Sequence, residues 1–461
     1  MTGPPSLLGA QVQGSSKWVI LLAQSLLMVL REGISWDSGM KSHSGYQQRE
    51  LSEYLARRFL LATDAATFDA IEKAADQILE EVGIRFQNDP ETIEQLRRAG
   101  GVIDGEIVRF DGSALRQIIR RSAPSSFRLR ARNPDRDTIL GGRACTGFAP
   151  IYGAPDVLLE SGQRVKGSRD IYRQLLAIAH ESPGLTNTGH MVCVMDDVPE
   201  VSRPLEMLLA HLTCSDKPFM GSIASPEIAM EYIDLTAAAF QRPPQPGACN
   251  LLHLVNCTPP LTYWENPLKC LRIIARAGEA AMISSYMMMG ATSPTTIAGS
   301  LIQGYAEVLP GLALTQLWRP GAPVVMGILA WPFDMRSMQP NFGDPASQLV
   351  QLYSSELARR LGIPSRGDGA VTSAKVDDAQ GGSEGARVLA ASVVSGADFI
   401  LHSAGWLEQG RCVSVAKFRR DAAAIAETYL QTSIACEPPA APDPAIEAEI
   451  RGRLLKIPMV A

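Results

Sequence analysis

The sequence lacks the paired cysteines and histidines that mark disulfide frameworks and zinc sites. Its eight cysteines include no CxxC pair, and its six histidines include no HxH or HxxxH pair. Eight cysteines scattered over 461 residues are too few for a disulfide-stabilised chain, so we expect free thiols in a reducing cytoplasm. No metal site can be read from these spacings.

Phosphate-binding glycine motifs and a surplus of basic charge are also missing. No GxGxxG follows an apolar run and no GxxxxGK occurs, which argues against a nucleotide-binding open sheet. Lysine and arginine total 43 against 48 aspartates and glutamates, and the formal net charge is −5. Nucleic-acid binders usually carry a basic surface, so we expect no nucleic-acid partner.

The apolar run Trp18–Leu30 follows Lys17 and has 13 residues, whereas a bilayer-spanning helix needs about 20. It resembles a signal-peptide core, but the preceding positive charge is weak and no clear small-x-small cleavage site follows. A misassigned start codon or an extension outside the fold are the other interpretations. We expect residues 1–50 to be an N-terminal extension, and the protein to be cytoplasmic without a membrane partner.

The sequence pattern over residues 51–165 predicts a helical region that ends in a β patch. Three helical patterns begin at capping residues, Thr63/Asp64, Asp89 and the aspartate of "DGSALRQ", since Ser, Thr and Asp accept hydrogen bonds from the first helical turn. Glycines end the first two patterns. The β patch spans about residues 145–164.

Residues 166–435 alternate short apolar runs with longer helical patterns, which is typical of a parallel sheet. With the β patch near Cys145–Tyr152 these runs make eight units, so the sequence predicts an α/β fold, a (β/α)8 TIM-type barrel with an N-terminal helical region. Residues 436–461 form a tail with a short helix. The predicted strands are residues 190–195, 218–223, 251–256, 281–288, 323–329, 368–373 and 398–403.

In such a barrel the chemistry gathers where strands run into helices. His402, Trp406 and Glu408 share one short loop there, although a lone histidine can also be a satisfied structural residue. Polar residues at the other strand ends are Asp196, Asp197, Asn256, Thr258, Tyr286, Asp334, Arg336, Lys375, Asp377 and Asp378.

Trp331 and Phe333 could either plug the barrel mouth or form an aromatic wall for a cation, with Arg336 or Asp334 orienting it. Ser293-Pro294 resembles a helix cap. That cap would leave Gly290-Ala291-Thr292 as a tight loop that a large planar partner can approach.

Several segments together resemble the trimethylamine methyltransferase (MttB-like) family. They are "GYAEVLPGLALTQLWRPGAPVVMGILAWPFDMRS", "ELARRLGIPSRGDGAVTSAKVDDAQGGSEGA", "GADFILHSAGWLEQG", "SDKPFMGS" and "MMMGATSPTTIAGSLIQGYAEVL". The resemblance covers about residues 51–430. It implies a barrel enzyme that moves a methyl group from a methylated amine to the Co(I) of a corrinoid (cobalamin) carried by a separate protein.

Family members that act on trimethylamine contain pyrrolysine, which this sequence does not. The resemblance therefore implies the group that demethylates quaternary amines such as glycine betaine. We expect Trp331, Phe333, Tyr286, Trp406 and Arg336 to bind the substrate. His402, Glu408 and Asp334 are expected to be catalytic, and Gly290, Ala291 and Thr292 to contact the corrinoid.

The sequence departs from the family pattern at two places near these residues. The usual glycine pair after the loop glutamate is here Glu408-Gln409-Gly410, and the stretch after "DMR", often a Thr-Gly-type turn, is "SMQP". The alternatives are a non-catalytic sensor of quaternary amines or corrinoid, and an unrelated barrel lyase or hydrolase. A homo-oligomer is the default expectation for a large barrel.

Overall fold

The computed structural model describes residues 65–142, 145–430 and 441–456. Helices alternate with parallel strands over most of this range, which makes it an α/β fold. The predicted extension 1–50, with its apolar run, and the predicted Thr63/Asp64 cap lie outside the described residues.

The described residues up to 166 contain short helices, as the sequence predicts, and also short strands before residue 145 that the sequence analysis did not predict. Asp89 and Asp111 do cap their helices, because their carboxylates accept from the backbone N–H groups of the first turn. The helices are α1 (Ala65–Gln77), α2 (Pro90–Arg98) and α3 (Gly112–Ser122). The strands are β1 (Ile84–Phe86), β2 (Val102–Asp104), β3 (Ile107–Arg109), β4 (Ser126–Leu129), β5 (Thr138–Gly141), β6 (Gly147–Phe148), β7 (Asp156–Leu158) and β8 (Arg164–Lys166).

The remainder of the described chain carries the longer helices. These are α4 (Arg169–Glu181), α5 (Arg203–Cys214), α6 (Pro226–Phe240), α7 (Glu265–Ala277), α8 (Ile297–Trp318), α9 (Pro345–Leu361), α10 (Ala379–Val394), α11 (Val415–Ile425) and α12 (Pro444–Lys456). The strands are β9 (Met220–Gly221), β10 (Ala248–Cys249), β11 (Leu252–Asn256), β12 (Thr262–Tyr263), β13 (Ala280–Met289), β14 (Val324–Asp334), β15 (Gln339–Pro340), β16 (Arg366–Asp368), β17 (Phe399–Leu401), β18 (Trp406–Leu407) and β19 (Cys412–Ser414).

Two parallel arrays position the site. One runs β9-β11-β13-β14, with β15 added antiparallel at its edge, and the other runs β16-β17-β6. Hydrogen bonds also join the two arrays: the Met326 N–H donates to the Pro364 carbonyl at 2.9 Å, next to an isolated parallel bridge between Met326 and Ser365. The strand ends of both arrays therefore share one edge.

An extended segment, residues 186–189, lies between β6 and β9. The Asn187 N–H donates to the Phe148 carbonyl at 3.1 Å, and the Met220 N–H donates to the Gly189 carbonyl at 2.8 Å. The predicted strand over residues 190–195 is wrong. Its apolar side chains are buried in irregular backbone, and the Val194 N–H donates to Ala154 outside any ladder.

The faces of these strands enclose a small apolar core. Side chains two residues apart on one strand point to the same face, so Met282, Ser284 and Tyr286 share a face of β13. Met282 belongs to the apolar layer. Ser284 and Tyr286 lie on the same face nearer the end of the strand and carry polar groups. The layer includes Met220, Leu252, Leu254, Met282, Val325 and Leu401.

Helix α8 is apolar on all sides because it is buried against β13, β14 and the N-terminal helices. Its length and composition alone would allow it to cross a membrane, but 78% of its most apolar window is buried inside the protein. A helix surrounded by protein in this way has the pattern expected of a core helix.

Three buried histidines beside β9 make stability depend on pH. Burial lowers the pKa of His190 to about 3 and that of His211 and His253 to about 4. The unfolded chain binds protons below about pH 6.5 and the folded chain does not. Folded stability contributed by these groups is therefore present above about pH 6.5 and is lost as the pH falls towards 4.

We expect His253→Gln to remove one third of this pH dependence. The free-energy difference between wild type and variant should change by about 1 kcal/mol per pH unit on average between pH 6.5 and 5, because the imidazole of the unfolded chain is only half protonated at pH 6.5. Denaturant unfolding at several pH values measures it. A difference that stays constant over this range would contradict the assignment of a neutral, buried imidazole.

Candidate functional site

Polar and aromatic side chains meet at the carboxyl ends of four neighbouring parallel strands. Tyr286 lies on β13, Trp331 on β14 and Asp368 ends β16, while His402 directly follows β17. In parallel α/β folds this edge is where ligands bind, because the strand ends and the following loops open there. The site is therefore built mainly by strands and only partly by loops.

Arg366 and Asp368 form a charged pair that is almost completely buried. Arg366 is 1% exposed and Asp368 is fully buried, and Arg366 Nη2 lies 2.8 Å from Asp368 Oδ1. Arg366 Nη1 also donates to Ser284 Oγ at 3.1 Å. Burial raises the pKa of Asp368, and the guanidinium opposes this rise.

The backbone of Asp368 is fixed from the helix side. Its N–H donates to Gln351 Oε1 of α9 at 2.9 Å, and its carbonyl accepts from Ser392 Oγ of α10 at 2.5 Å. These bonds leave Asp368 Oδ2 and Arg366 Nε buried without a hydrogen-bond partner among the described residues. Such atoms are rare in folded proteins and call for a ligand or an ordered water.

His402 is held neutral beside this pair. Its Nε2 lies 4.0 Å from Asp368 Oδ1. Burial lowers the pKa of His402 well below its ordinary value, and the Arg366 charge adds to that effect. The Nδ1 atom has no partner within the described part of the chain. His402 has a left-handed backbone (φ 61°), which is uncommon outside glycine and often marks a functional position.

Four rings form a continuous aromatic row. The ring centroids of Trp331 and Phe342 are 4.7 Å apart, those of Phe342 and Trp406 are 5.2 Å apart, and those of His402 and Trp406 are 4.6 Å apart. The Trp406 indole N–H donates to the Thr372 carbonyl at 3.1 Å, which fixes the ring. Trp331 is fully buried, so it also closes the core in the way the alternative interpretation expects.

Tyr286 brings a hydroxyl to the same place. Its ring is half-buried, and burial, followed by the Asp368 charge, raises the pKa of its hydroxyl well above 10. The tyrosine is thus a neutral hydrogen-bond donor. The Tyr286 hydroxyl interacts with the Trp331 side chain, and neither the hydroxyl nor the Trp331 indole nitrogen has another hydrogen-bond partner among the described residues.

The hairpin after β14 is held by contacts among its own residues. Asp334 is exposed, and its carboxylate accepts from the Arg336 N–H at 2.9 Å and from Ser337 Oγ at 2.8 Å. These bonds lower the pKa of Asp334. Arg336 is exposed, and Phe333 is half-buried and paired with Pro340. The contacts made by these residues shape the hairpin.

The Glu408 carboxylate forms an ion pair with Arg164. Its Oε1 atom lies 2.6 Å from Arg164 Nη1, and the same guanidinium binds Asp156 at 2.7 Å. The predicted trio therefore divides: His402 and Trp406 contact each other, whereas Glu408 joins an ion-pair network with β7 and β8.

The loop Gly290-Ala291-Thr292 is exposed and well held. The Ala291 and Thr292 N–H groups donate to the Met288 carbonyl, and Gln303 Nε2 donates to the Thr292 carbonyl at 2.9 Å. The predicted cap at Ser293-Pro294 is wrong, because α8 begins three residues later and Thr296 caps it. The result is still a small, rigid platform at the end of β13.

Sequence reasoning missed Arg366, Asp368 and Phe342. It placed the strand over residues 368–373, whereas β16 is Arg366–Asp368, and this shift moved attention to Lys375, Asp377 and Asp378. Asp378 instead caps α10, and Asp377 pairs with Arg420 at 2.5 Å. The sequence did contain a signal for this pair: two charged residues, Arg366 and Asp368, stand at positions i and i+2 beside an apolar run.

Solved structures with a similar fold are methylamine methyltransferases. The monomethylamine methyltransferase of Methanosarcina barkeri aligns over 92% of this chain and 96% of its own, with a TM-score of 0.54 and 12% sequence identity. A complex of MtmB with hydroxylamine aligns with the same score over 90% of this chain and 83% of its own. At this identity the likeness concerns the fold alone.

Sequence comparison gives the family. The model of the family "Trimethylamine methyltransferase (MTTB)" matches residues 38–450, so the chain belongs to this family. A glycine betaine methyltransferase of Desulfitobacterium hafniense is 35% identical over 77% of this chain and 74% of its own length. A proline betaine:corrinoid methyltransferase of Eubacterium limosum is 26% identical over 80% of this chain and 77% of its own.

The departure at Glu408-Gln409-Gly410 has a structural consequence. Gln409 has a left-handed backbone (φ 55°), which costs an L-residue roughly 1–2 kcal/mol. Gly410 follows at φ 87°, where an added Cβ would lie 2.7 Å from the Trp406 ring. The backbone of this loop therefore suits glycine at both positions.

We expect Gln409→Gly to raise the free energy of unfolding by about 1 kcal/mol and Gly410→Ala to lower it by roughly 2 kcal/mol or more. Gly410→Ala should also alter the near-ultraviolet circular dichroism, because it displaces Trp406. Gly105→Ala is the matched control, since Gly105 has a left-handed backbone (φ 62°) and open space around it. Equal losses for the two alanine variants would contradict the contact with Trp406.

Proposed function

We propose that this protein transfers a methyl group from a quaternary amine of the glycine betaine type to the Co(I) of a corrinoid carried by a separate protein. The observation that carries the proposal is the aromatic row beside an unpartnered carboxylate oxygen, in a chain that belongs to the trimethylamine methyltransferase family. The names of the betaine methyltransferases among its relatives support the same substrate class.

The chemistry explains why a permanent cation suits this site. A corrinoid bound there would supply the electron pair for the new bond to the methyl carbon, and the carbon–nitrogen electrons would stay on the departing amine. From a quaternary ammonium the leaving group is a neutral amine, which needs no proton donor. A neutral His402 is consistent with such a step, and no pyrrolysine is required in our proposal.

The protein's part is to bind and orient the cation and to exclude water. Aromatic faces attract a desolvated ammonium by about 2 kcal/mol, and a quaternary nitrogen has no proton for a hydrogen bond. We assign Trp331, Trp406, Tyr286 and His402 to this wall. Phe333, Asp334 and Arg336 belong to the hairpin beside the mouth, where they would meet the partner or the outer end of the substrate.

The corrinoid would approach over the Gly290-Ala291-Thr292 platform. Its side chains are small and its backbone is fixed by hydrogen bonds to Met288 and Gln303, so a large ring system can approach without rearrangement. The residues present are compatible with such a group. Glu408, held by Arg164, would support the loop that carries Trp406.

We also infer the architecture around this site. The links of residues 186–189 to β6 and β9, and of β14 to the segment before β16, support a closed (β/α)8 barrel of eight parallel units. We propose that residues 166–435 with the β patch make this barrel, that residues 51–165 form a helical region, and that residues 436–461 form a tail. A cytoplasmic homo-oligomer is part of the same proposal.

The test is an anaerobic assay with the full-length protein and cob(I)alamin. Glycine betaine or proline betaine should convert the cob(I)alamin spectrum to that of methylcobalamin, and trimethylamine should not. Binding of a betaine without conversion would favour the sensor alternative. Failure to bind or convert any quaternary amine would overturn the proposal.

The platform gives a second prediction. Ala291→Trp should lower methyl transfer at least ten-fold, because the indole obstructs the approach of the corrinoid, while betaine binding stays unchanged. Ala448→Trp, at an exposed position of α12, is the matched control and should retain activity. Full activity of the Ala291→Trp variant would show that the platform is not part of the corrinoid site.

A further inference from the structure

Asp368 uses only one of its two carboxylate oxygens. Oδ1 pairs with Arg366, whereas Oδ2 is buried and lacks a partner among the described residues. A buried carboxylate oxygen without a partner has lost its hydration and gained no hydrogen bond in exchange, which is unfavourable. Since Gln351 and Ser392 fix the Asp368 backbone, the residue cannot relieve this cost by moving towards solvent.

The other unpartnered atoms in the same cluster are mostly donors. Apart from an interaction with each other, the Tyr286 hydroxyl and the Trp331 indole N–H have no hydrogen-bond partner among the described residues, and neither has the Arg366 Nε–H. Gln351 Nε2 and His402 Nδ1 also lack a partner there. The free carboxylate oxygen therefore lies in a cluster in which unused donors predominate. A ligand that satisfies both kinds of atom carries a positive centre and a carboxylate.

Charge balance leads to the same kind of ligand. Arg366 and Asp368 together carry no net charge, and His402 is neutral. A ligand that is only a cation would leave one net positive charge in a buried site, which is costly. A zwitterion leaves the site neutral.

We propose that Asp368 is the counter-ion of the ammonium group of a zwitterionic betaine, and that the buried donors of Tyr286, Trp331 and Arg366 receive its carboxylate. This assignment rests on the proposed function, because it takes a quaternary amine as the ligand. It makes Asp368 the residue that distinguishes a charged trimethylammonium group from a neutral group of the same shape.

The experiment compares ligands that differ in one charge. Glycine betaine carries both charges, 3,3-dimethylbutanoate replaces the nitrogen by carbon, and choline lacks the carboxylate. Calorimetric titration of the full-length protein gives the three dissociation constants without corrinoid or turnover. Wild type should bind glycine betaine at least ten-fold more tightly than either analogue.

Asp368→Asn should lower the preference for glycine betaine over 3,3-dimethylbutanoate at least five-fold, with the remainder supplied by the aromatic wall, while it leaves the binding of 3,3-dimethylbutanoate intact or stronger. Glu279→Gln is the matched control: Glu279 is a buried carboxylate that immediately precedes β13 and accepts hydrogen bonds from the Asn250 and Leu251 N–H groups. This variant should keep the wild-type preference.

The outcomes separate this inference from the proposed function. If wild type binds glycine betaine and 3,3-dimethylbutanoate equally, or if Asp368→Asn keeps the preference, the counter-ion assignment is overturned and the methyltransferase proposal stands. If wild type binds none of the three ligands, both are overturned for this substrate class. Should Asp368→Asn not fold, Asp368→Glu, which keeps the charge but moves the carboxylate, takes its place in the same comparison and should also lower the preference.

Discussion

The burial of one ion pair governs the arrangement of the site. Arg366 and Asp368 stand two residues apart on β16, on one face of the strand, and almost no solvent reaches them. Removing two charges from water is costly unless further hydrogen bonds compensate. Ser284 binds the guanidinium, and Gln351 and Ser392 bind the backbone of the aspartate. The neutral state of His402 follows from the same low-dielectric surroundings.

A second buried pair fixes the loops around the first. Lys417 on α11 is fully buried, and its Nζ donates to the Ala370 carbonyl at 3.1 Å and to Asp421 Oδ2 at 2.6 Å. Asp421 also accepts from the Gly405 N–H at 3.0 Å. Helix α11 thereby holds the segment after β16 and the loop between His402 and Trp406 in one arrangement. Strand β16 thus carries the charged pair, and helix α11 fixes the loop that joins His402 to Trp406.

The sequence predicted the elements that repeat and missed those that depend on register. Alternating apolar runs and helical patterns correctly indicated an α/β fold, and the quoted motifs correctly indicated the family. The strand before residue 371 was placed two residues late, because Val371 and Thr372 have a higher β propensity than the residues of "SRGD" that form the strand. That shift hid Arg366 and Asp368, whose pairing only tertiary contacts reveal. For the same reason Glu408 was grouped with Trp406, although Arg164, 244 positions away, binds it.

The unused oxygen of Asp368 has a consequence for the direction of turnover. In the proposed reaction a quaternary substrate enters with a fixed positive charge, and methyl loss removes that charge at the moment of transfer. The attraction between the ammonium group and the carboxylate then disappears, and Asp368 keeps only its pairing with Arg366. In this proposal the change in charge itself favours product release.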